Sequence, residues 1–208
     1  MEVGTTTKGR ARRSAPATAA SGGDTRAGGD TKCRILDAAE EVVLRDGVAH
    51  LTLDAAATEA GLSKGGVLYH FPTRGALVAG MVAKIIKEFE EDIERELRSS
   101  DGPGAFTRAY IRSTMAPDTA TPDRQDRLGA ALIAAAAAEP ALLLPLQEAA
   151  DRWQARLEGD GLDPTVATVL RLACDGLWLC DLFGLAPPSA ALRSRVGAEL
   201  EAMTKRPS

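Results

Sequence analysis

The stretch that most constrains this chain is Thr52 to Arg74, TLDAAATEAGLSKGGVLYHFPTR. Leu53 to Ala60 is predicted to be a short alanine-rich helix. Thr52 is its expected cap, because a threonine hydroxyl accepts an orphan amide of the first turn. Asp54 adds a negative charge at the positive end of the helix dipole. Gly61 stands where a positive φ is expected, a conformation only glycine takes cheaply. Leu62 is an apolar plug, and Ser63 is placed to cap a second helix from Lys64 to His70. Ala56, Ala57 and Ala60 leave room for close crossing, with Leu62, Val67, Leu68 and Phe71 expected to form the apolar underside. Two helices joined by a short glycine turn are a DNA-binding arrangement whose second helix enters the major groove.

An ordinary helical hairpin is the rival reading, and the second helix discriminates against it. Lys64-Gly65-Gly66 is a poor helix start, each interior glycine costing roughly 1 kcal/mol relative to alanine. What it provides is bare backbone able to approach another surface. Tyr69 and His70 add polar tips suited to phosphate oxygens.

The chain has 208 residues, room for one large or two small domains. Charged residues make up 26% and aromatics only 4%, a helix-leaning mix. A formal net charge of -4 argues against a general polyanion binder. The average hides an asymmetry: the first 29 residues carry Lys8, Arg10, Arg12, Arg13 and Arg26 against Glu2 and Asp24, whereas Glu88 to Asp101 is strongly acidic. A basic front on an acidic body suits a protein that meets DNA at one end. Cys33, Cys174 and Cys180 form neither a disulfide framework nor a metal spacing, and His50 and His70 are the only histidines. No metal site is therefore expected. The absence of a transmembrane-length apolar run and of a signal-peptide core predicts a cytoplasmic location with no membrane partner.

Residues 1–29 are expected to be a disordered basic tail, either simply solvated or an arm adding phosphate or minor-groove contacts. Thr31 to Asp46 reads as a helix with Ile35, Leu36, Ala39, Val42 and Val43 inward, completing a three-helix domain over 30–75. Thr73 is the expected cap of a long helix to about Ser99, with an apolar stripe from Leu77 to Leu97. That helix links the first domain to a second, over 76–208. Further helices are predicted at Ala105–Ala116, Arg124–Ala138, Leu144–Glu158, Pro164–Phe183 and Ser189–Met203. The fourth of these is apolar nearly all round, as in a core or a subunit interface. The fold class is all-α.

From Ile35 to Met81 the chain resembles the TetR family of transcriptional regulators. The resemblance rests on a helix, a Gly-bounded loop, a Thr, an Ala-Gly turn, Ser-Lys-Gly, and an aromatic-His-Phe before the fourth helix. Beyond residue 100 the likeness is to the family's helical layout, and DGLWLCDLFGL resembles one subgroup's penultimate helix. The resemblance implies a homodimer on a palindromic double-stranded operator, released by a small-molecule effector bound in the C-terminal domain. Repression is the family default. Carried over by position, the DNA-binding residues are Thr52, Ser63, Lys64, Gly65, Gly66, Tyr69, His70, Thr73 and Arg74. Arg74 stands where the family commonly has a phosphate-gripping lysine, and Leu68 where many members have a tyrosine. With two glycines leading the recognition helix, sequence readout is expected to lean on Lys64 and DNA shape.

In a dimer of this kind Leu177, Leu182, Phe183, Leu192, Val196 and Leu200 of the last two helices are the expected interface residues, Gly176 permitting close approach. Candidate pocket residues are Phe89, Phe106, Tyr110, Met115, Trp153, Cys174 and Trp178, large or polarizable groups on inward faces. Asp175 and Asp181, in an apolar helix, need partners, and an arginine such as Arg171 or Arg152 is preferred over a cationic ligand. No catalytic residues and no cofactor are expected, since no nucleophile–base pair or phosphate loop is present. The alternative to an operator-binding regulator is a helical adaptor or ligand-binding protein of the same fold.

Overall fold

The computed structural model describes Met1, residues 24–115 and residues 124–205. Among these the elements are α1 (Asp24–Asp46), α2 (Leu53–Ala60), α3 (Lys64–His70), α4 (Arg74–Leu97), α5 (Ala105–Thr114), α6 (Arg124–Ala138), α7 (Leu144–Glu158), α8 (Pro164–Phe183) and α9 (Ala190–Met203). Two 3-10 turns that the sequence did not announce, Val48–His50 and Pro140–Leu143, precede α2 and α7.

The short-range chemistry of the head is as expected. Thr52 Oγ1 accepts the Ala55 amide at 3.0 Å, Ser63 Oγ that of Gly66 at 3.2 Å, and Thr73 Oγ1 that of Ala76 at 3.0 Å. Gly61 ends α2 with φ 64°. Ile35, Ala39 and Val42 of α1, Leu51, Ala56 of α2, Val67 of α3 and Leu77 of α4 are buried together. Phe71 completes this core by lying against Gly80. A Cβ at residue 80 would sit 2.7 Å from Phe71 Cε1 and 3.1 Å from Leu36 Cδ2, so only glycine lets α4 come this close.

The 24 residues of α4 span about 36 Å, and its buried face runs from Leu77 to Ile93, joining the head to the C-terminal helices in one continuous core. There α4 packs on α5 and α7, while α8 packs on α5, α6 and α7. Among the described residues no helix is long and apolar enough to cross a membrane.

Several expectations are corrected. α1 begins at Asp24 rather than Thr31, so residues 24–29 are helix, not tail. Extending a helix costs less than nucleating one, so α1 runs back through Gly28 and Gly29 despite their poor propensity. The Arg10, Arg12, Arg13 cluster lies outside the described residues. Leu68 is exposed rather than part of the underside. Leu182 and Leu200 are buried within the chain and so are not free for an interface, whereas Val196 is half-buried against the core. Leu182 is turned toward Gly129 of α6.

Candidate nucleic-acid interface

The nine residues singled out for DNA contact cluster on the outside of the helix pair. Thr52, Ser63, Lys64, Gly65, Tyr69 and Thr73 are exposed, and Gly66, His70 and Arg74 are half-buried. The three capping hydroxyls use an acceptor lone pair on their own helices, which leaves each hydroxyl hydrogen able to donate to a phosphate. Tyr69 is 84% exposed and meets the His70 ring edge-on at 5.0 Å.

The glycines have room beside them. A Cβ at Gly65 would lie 4.0 Å from Ser63 Oγ and one at Gly66 3.5 Å, both ordinary contacts, and neither residue has a positive φ. Helix geometry and packing would accept alanine at both. Among the described residues no contact requires their smallness. Lys64 Nζ pairs with Asp54 Oδ2 at 2.8 Å, with both side chains more than half exposed. A pair so wet is weak and readily exchanged for a phosphate or a base edge.

Arg74 departs from its expected role. Its Nε donates to the Leu51 carbonyl and its Nη2 to that of Val48, both at 2.8 Å. The guanidinium thus ties the start of α4 to the turn that carries Thr52, rather than standing open for a phosphate. Two ties were missed in the sequence: Arg34 Nη2 donates to the Ala60 carbonyl at 2.9 Å, and Arg45 pairs with Glu59 at 2.8 Å. Both hold α2 on α1 across separations that carry no local signal. Leu68, misplaced inward, adds an apolar contact to the open surface beside Tyr69. A seven-residue helix is too short for periodicity to assign its faces.

The proposed pocket residues are not one group. Phe89, Tyr110 and Trp153 pack edge-to-face at centroid separations of 5.2 to 6.1 Å, where α4, α5 and α7 meet. Tyr110 Oη donates to Asp175 Oδ1 at 2.7 Å, and Trp153 Nε1 to Glu90 Oε1 at 3.2 Å. Cys174 is buried beside this cluster's carboxylate. Phe106 is covered by the Arg156 guanidinium at 4.0 Å, Met115 lies against Gly197, and Trp178 lies against Gly129. These last three are separate packing sites. Burial, then Asp175, push the Tyr110 phenol well above its ordinary range, and burial raises the Cys174 thiol to about 12. Tyr110 is therefore a neutral donor and Cys174 an unreactive thiol. Asp175 is also paired with Arg171 Nη1 at 3.0 Å, the expected kind of partner. Asp181 takes Arg193 instead.

One face of α8 is open. Val169, Leu172, Leu179 and Phe183 are 40% to 54% exposed, and around Gly176, on the same face, nothing lies within 4 Å of a would-be Cβ. Spacings of three and four place all five on one stripe. Leu192 of α9 is exposed as well, whereas Leu177 is half-buried on the core.

Residues 35–81 match the family model of bacterial regulatory proteins, tetR family, and residues 104–205 match a tetracyclin repressor-like C-terminal domain. Over 90 residues, 43% of this chain, the sequence is 35% identical to the HTH-type transcriptional regulator SrpR of Pseudomonas putida. It is also 35% identical over 90 residues to the uncharacterized HTH-type transcriptional regulator TtgW of the same species. The match spans 42% of SrpR and 67% of TtgW. The multidrug binding protein EbrR, solved with ethidium, superposes with a TM-score of 0.63 at 27% identity, over 82% of this chain and 98% of that one. Both ends of the chain thus carry the same signature, and the chain belongs to the TetR family of transcriptional regulators.

Proposed function

We propose that this chain is a one-component repressor that binds a palindromic operator as a homodimer and is released when a small molecule enters its C-terminal domain. The observation that carries the proposal is the surface of α3. Among the described residues nothing requires positions 65 and 66 to be glycine, and Tyr69 projects beside them into solvent. That surface is small enough in front to approach a groove floor and polar enough at its end to hold phosphate.

The open α8 stripe supports the dimer. Apolar residues at Val169, Leu172, Leu179 and Phe183 face water in the single chain, and a second copy related by two-fold symmetry would cover them. α9 lends Leu192 to the same surface. Pairing of this kind would hold two copies of α3 at a fixed distance. The aromatic group Phe89, Tyr110 and Trp153, with the Asp175 and Glu90 carboxylates at its rim, supports an effector with an aromatic body. EbrR, a multidrug binding protein solved with ethidium, lends weight to such a ligand.

Selection of bound duplexes from a random pool tests the proposal. The wild-type chain should enrich an inverted repeat. A variant with both Lys64→Ala and Tyr69→Ala should enrich nothing while melting as the wild type does and keeping its oligomeric state. Equal enrichment by the variant would favour an adaptor that does not use this surface.

A further inference from the structure

A buried carboxylate sits between the head and the C-terminal helices. Glu40 of α1 is only 5% exposed, yet it is ion-paired from two directions. Lys84 Nζ of α4 meets its Oε1 at 2.8 Å, and Arg124 Nη2 of α6 meets its Oε2 at 3.3 Å. Around this centre lie wetter pairs: Lys84 with Asp37 at 2.5 Å and Glu88 at 3.9 Å, and Arg124 Nη1 with Glu41 at 2.7 Å. α6 also packs directly on α1 and on the Val48–His50 turn. Three helices therefore converge on one side chain, and only one of them, α6, lies wholly beyond the head.

We propose that Glu40 is a positioning residue that sets the angle of the head on the C-terminal helices, with Arg124 as the arm through which α6 holds or releases it. A carboxylate removed from water needs its partners in fixed places, because an uncompensated buried charge is strongly disfavoured. Glu40 can meet both cations only while α1, α4 and α6 keep one mutual arrangement. The two arms differ in kind. Lys84 lies on the helix that belongs to both parts, so its bond moves with the head. Arg124 is 44% exposed and shared with the solvated Glu41, so a shift of α6 can withdraw it from Glu40 while Glu41 and water retain it. A movement of α6 is in this way turned into a change in what holds α1. The consequence at an operator rests on α3 being the DNA-facing helix; the geometry does not.

The test is an intrachain distance. Cys33 is exposed on α1 and Glu148 is exposed on α7, so spin labels at Cys33 and at Glu148→Cys report head against C-terminal helices. Cys180→Ser removes the other partly accessible thiol, and dilution with unlabelled chain isolates the intrachain pair. The otherwise unaltered chain should give one narrow distribution. Glu40→Gln and Arg124→Ala should each add a displaced population, and Arg124→Lys should restore the narrow one. Arg124→Ala serves even where Glu40→Gln fails to fold, because only an exposed group is lost. If the distribution is unchanged in the folded variants, with or without a fall in melting temperature, the ions merely stabilise and the proposal is overturned. No DNA is needed, so a chain that bound no duplex would refute the proposed function and leave this result standing.

Discussion

Replacing Gly65 and Gly66 by alanine should move stability and DNA binding in opposite directions. Within the protein each new methyl has room, meeting Ser63 Oγ at 4.0 and 3.5 Å with no positive φ to oppose it. Each substitution also relieves a glycine penalty of about 0.5–1 kcal/mol in a helix. The double variant should therefore gain about 1–2 kcal/mol, a rise of about 2–8 °C in melting temperature for a chain of this size. In the proposed complex the same methyls would stand between α3 and the groove floor. Losing one good base-edge contact costs about 1–3 kcal/mol, so operator affinity should fall about 5- to 150-fold. The assay is fluorescence anisotropy on the selected duplex at one fixed salt concentration, beside thermal melts of the free protein. A lower melting temperature would mean that the glycines serve the fold. A raised melting temperature with unchanged affinity would mean that this face does not touch DNA.

Arg74→Ala should lower the urea midpoint by an amount equivalent to at least about 1.5 kcal/mol, since a charged donor to two carbonyls is lost. It should leave the salt slope of DNA binding unchanged, whereas a lost phosphate contact would reduce it by about 0.9 each. Gly80→Ala should destabilise by about 1–3 kcal/mol in the same unfolding measurement, because its methyl meets Phe71 at 2.7 Å. Leu172→Glu with Phe183→Glu should give a folded monomer in sedimentation velocity, both side chains being exposed in the single chain. Glu201 is held below its ordinary value of 4.5 first by its hydrogen bonds with Arg112, at 3.1 and 3.0 Å. Its folded pKa is depressed, so its contribution is present above 4.5 and lost as pH falls through the folded value. Melting temperature below pH 4.5 should therefore fall more steeply in the wild type than in Glu201→Gln.

What was legible in the sequence was local. Thr52, Gly61, Ser63 and Thr73 act on amides or dihedrals within a few residues of themselves, and each does what its chemistry dictates. The apolar stripe of α4 was equally plain, because seven turns average out single exceptions. What was not legible depends on distance or on short elements. Arg74 finds Val48 and Leu51 because α4 starts beside the turn before α2, a tertiary accident no spacing encodes. Glu40 looks like any solvated acid on α1 until α4 and α6 close over it. Leu182 of α8 and Leu200 of α9 read as interface residues because their helices carry apolar positions that spacing alone cannot divide between core and partner; packing on α6 buries the first, and the core buries the second. The surface proposed to face DNA stands out in the sequence for a different reason. Glycines that weaken a helix and a tyrosine left 84% exposed are local departures from what the fold alone would select.

The central claim is that two copies of α3 are held at a set separation by pairing through α8 and α9. Hydroxyl-radical footprinting of the chain on its selected duplex measures that separation directly. The account predicts two protected patches on one face of the DNA, about 34–36 Å or 10–10.5 base pairs apart or a multiple of it, with matching half-sites beneath them. A single protected patch, or two whose spacing varies from duplex to duplex, would contradict it.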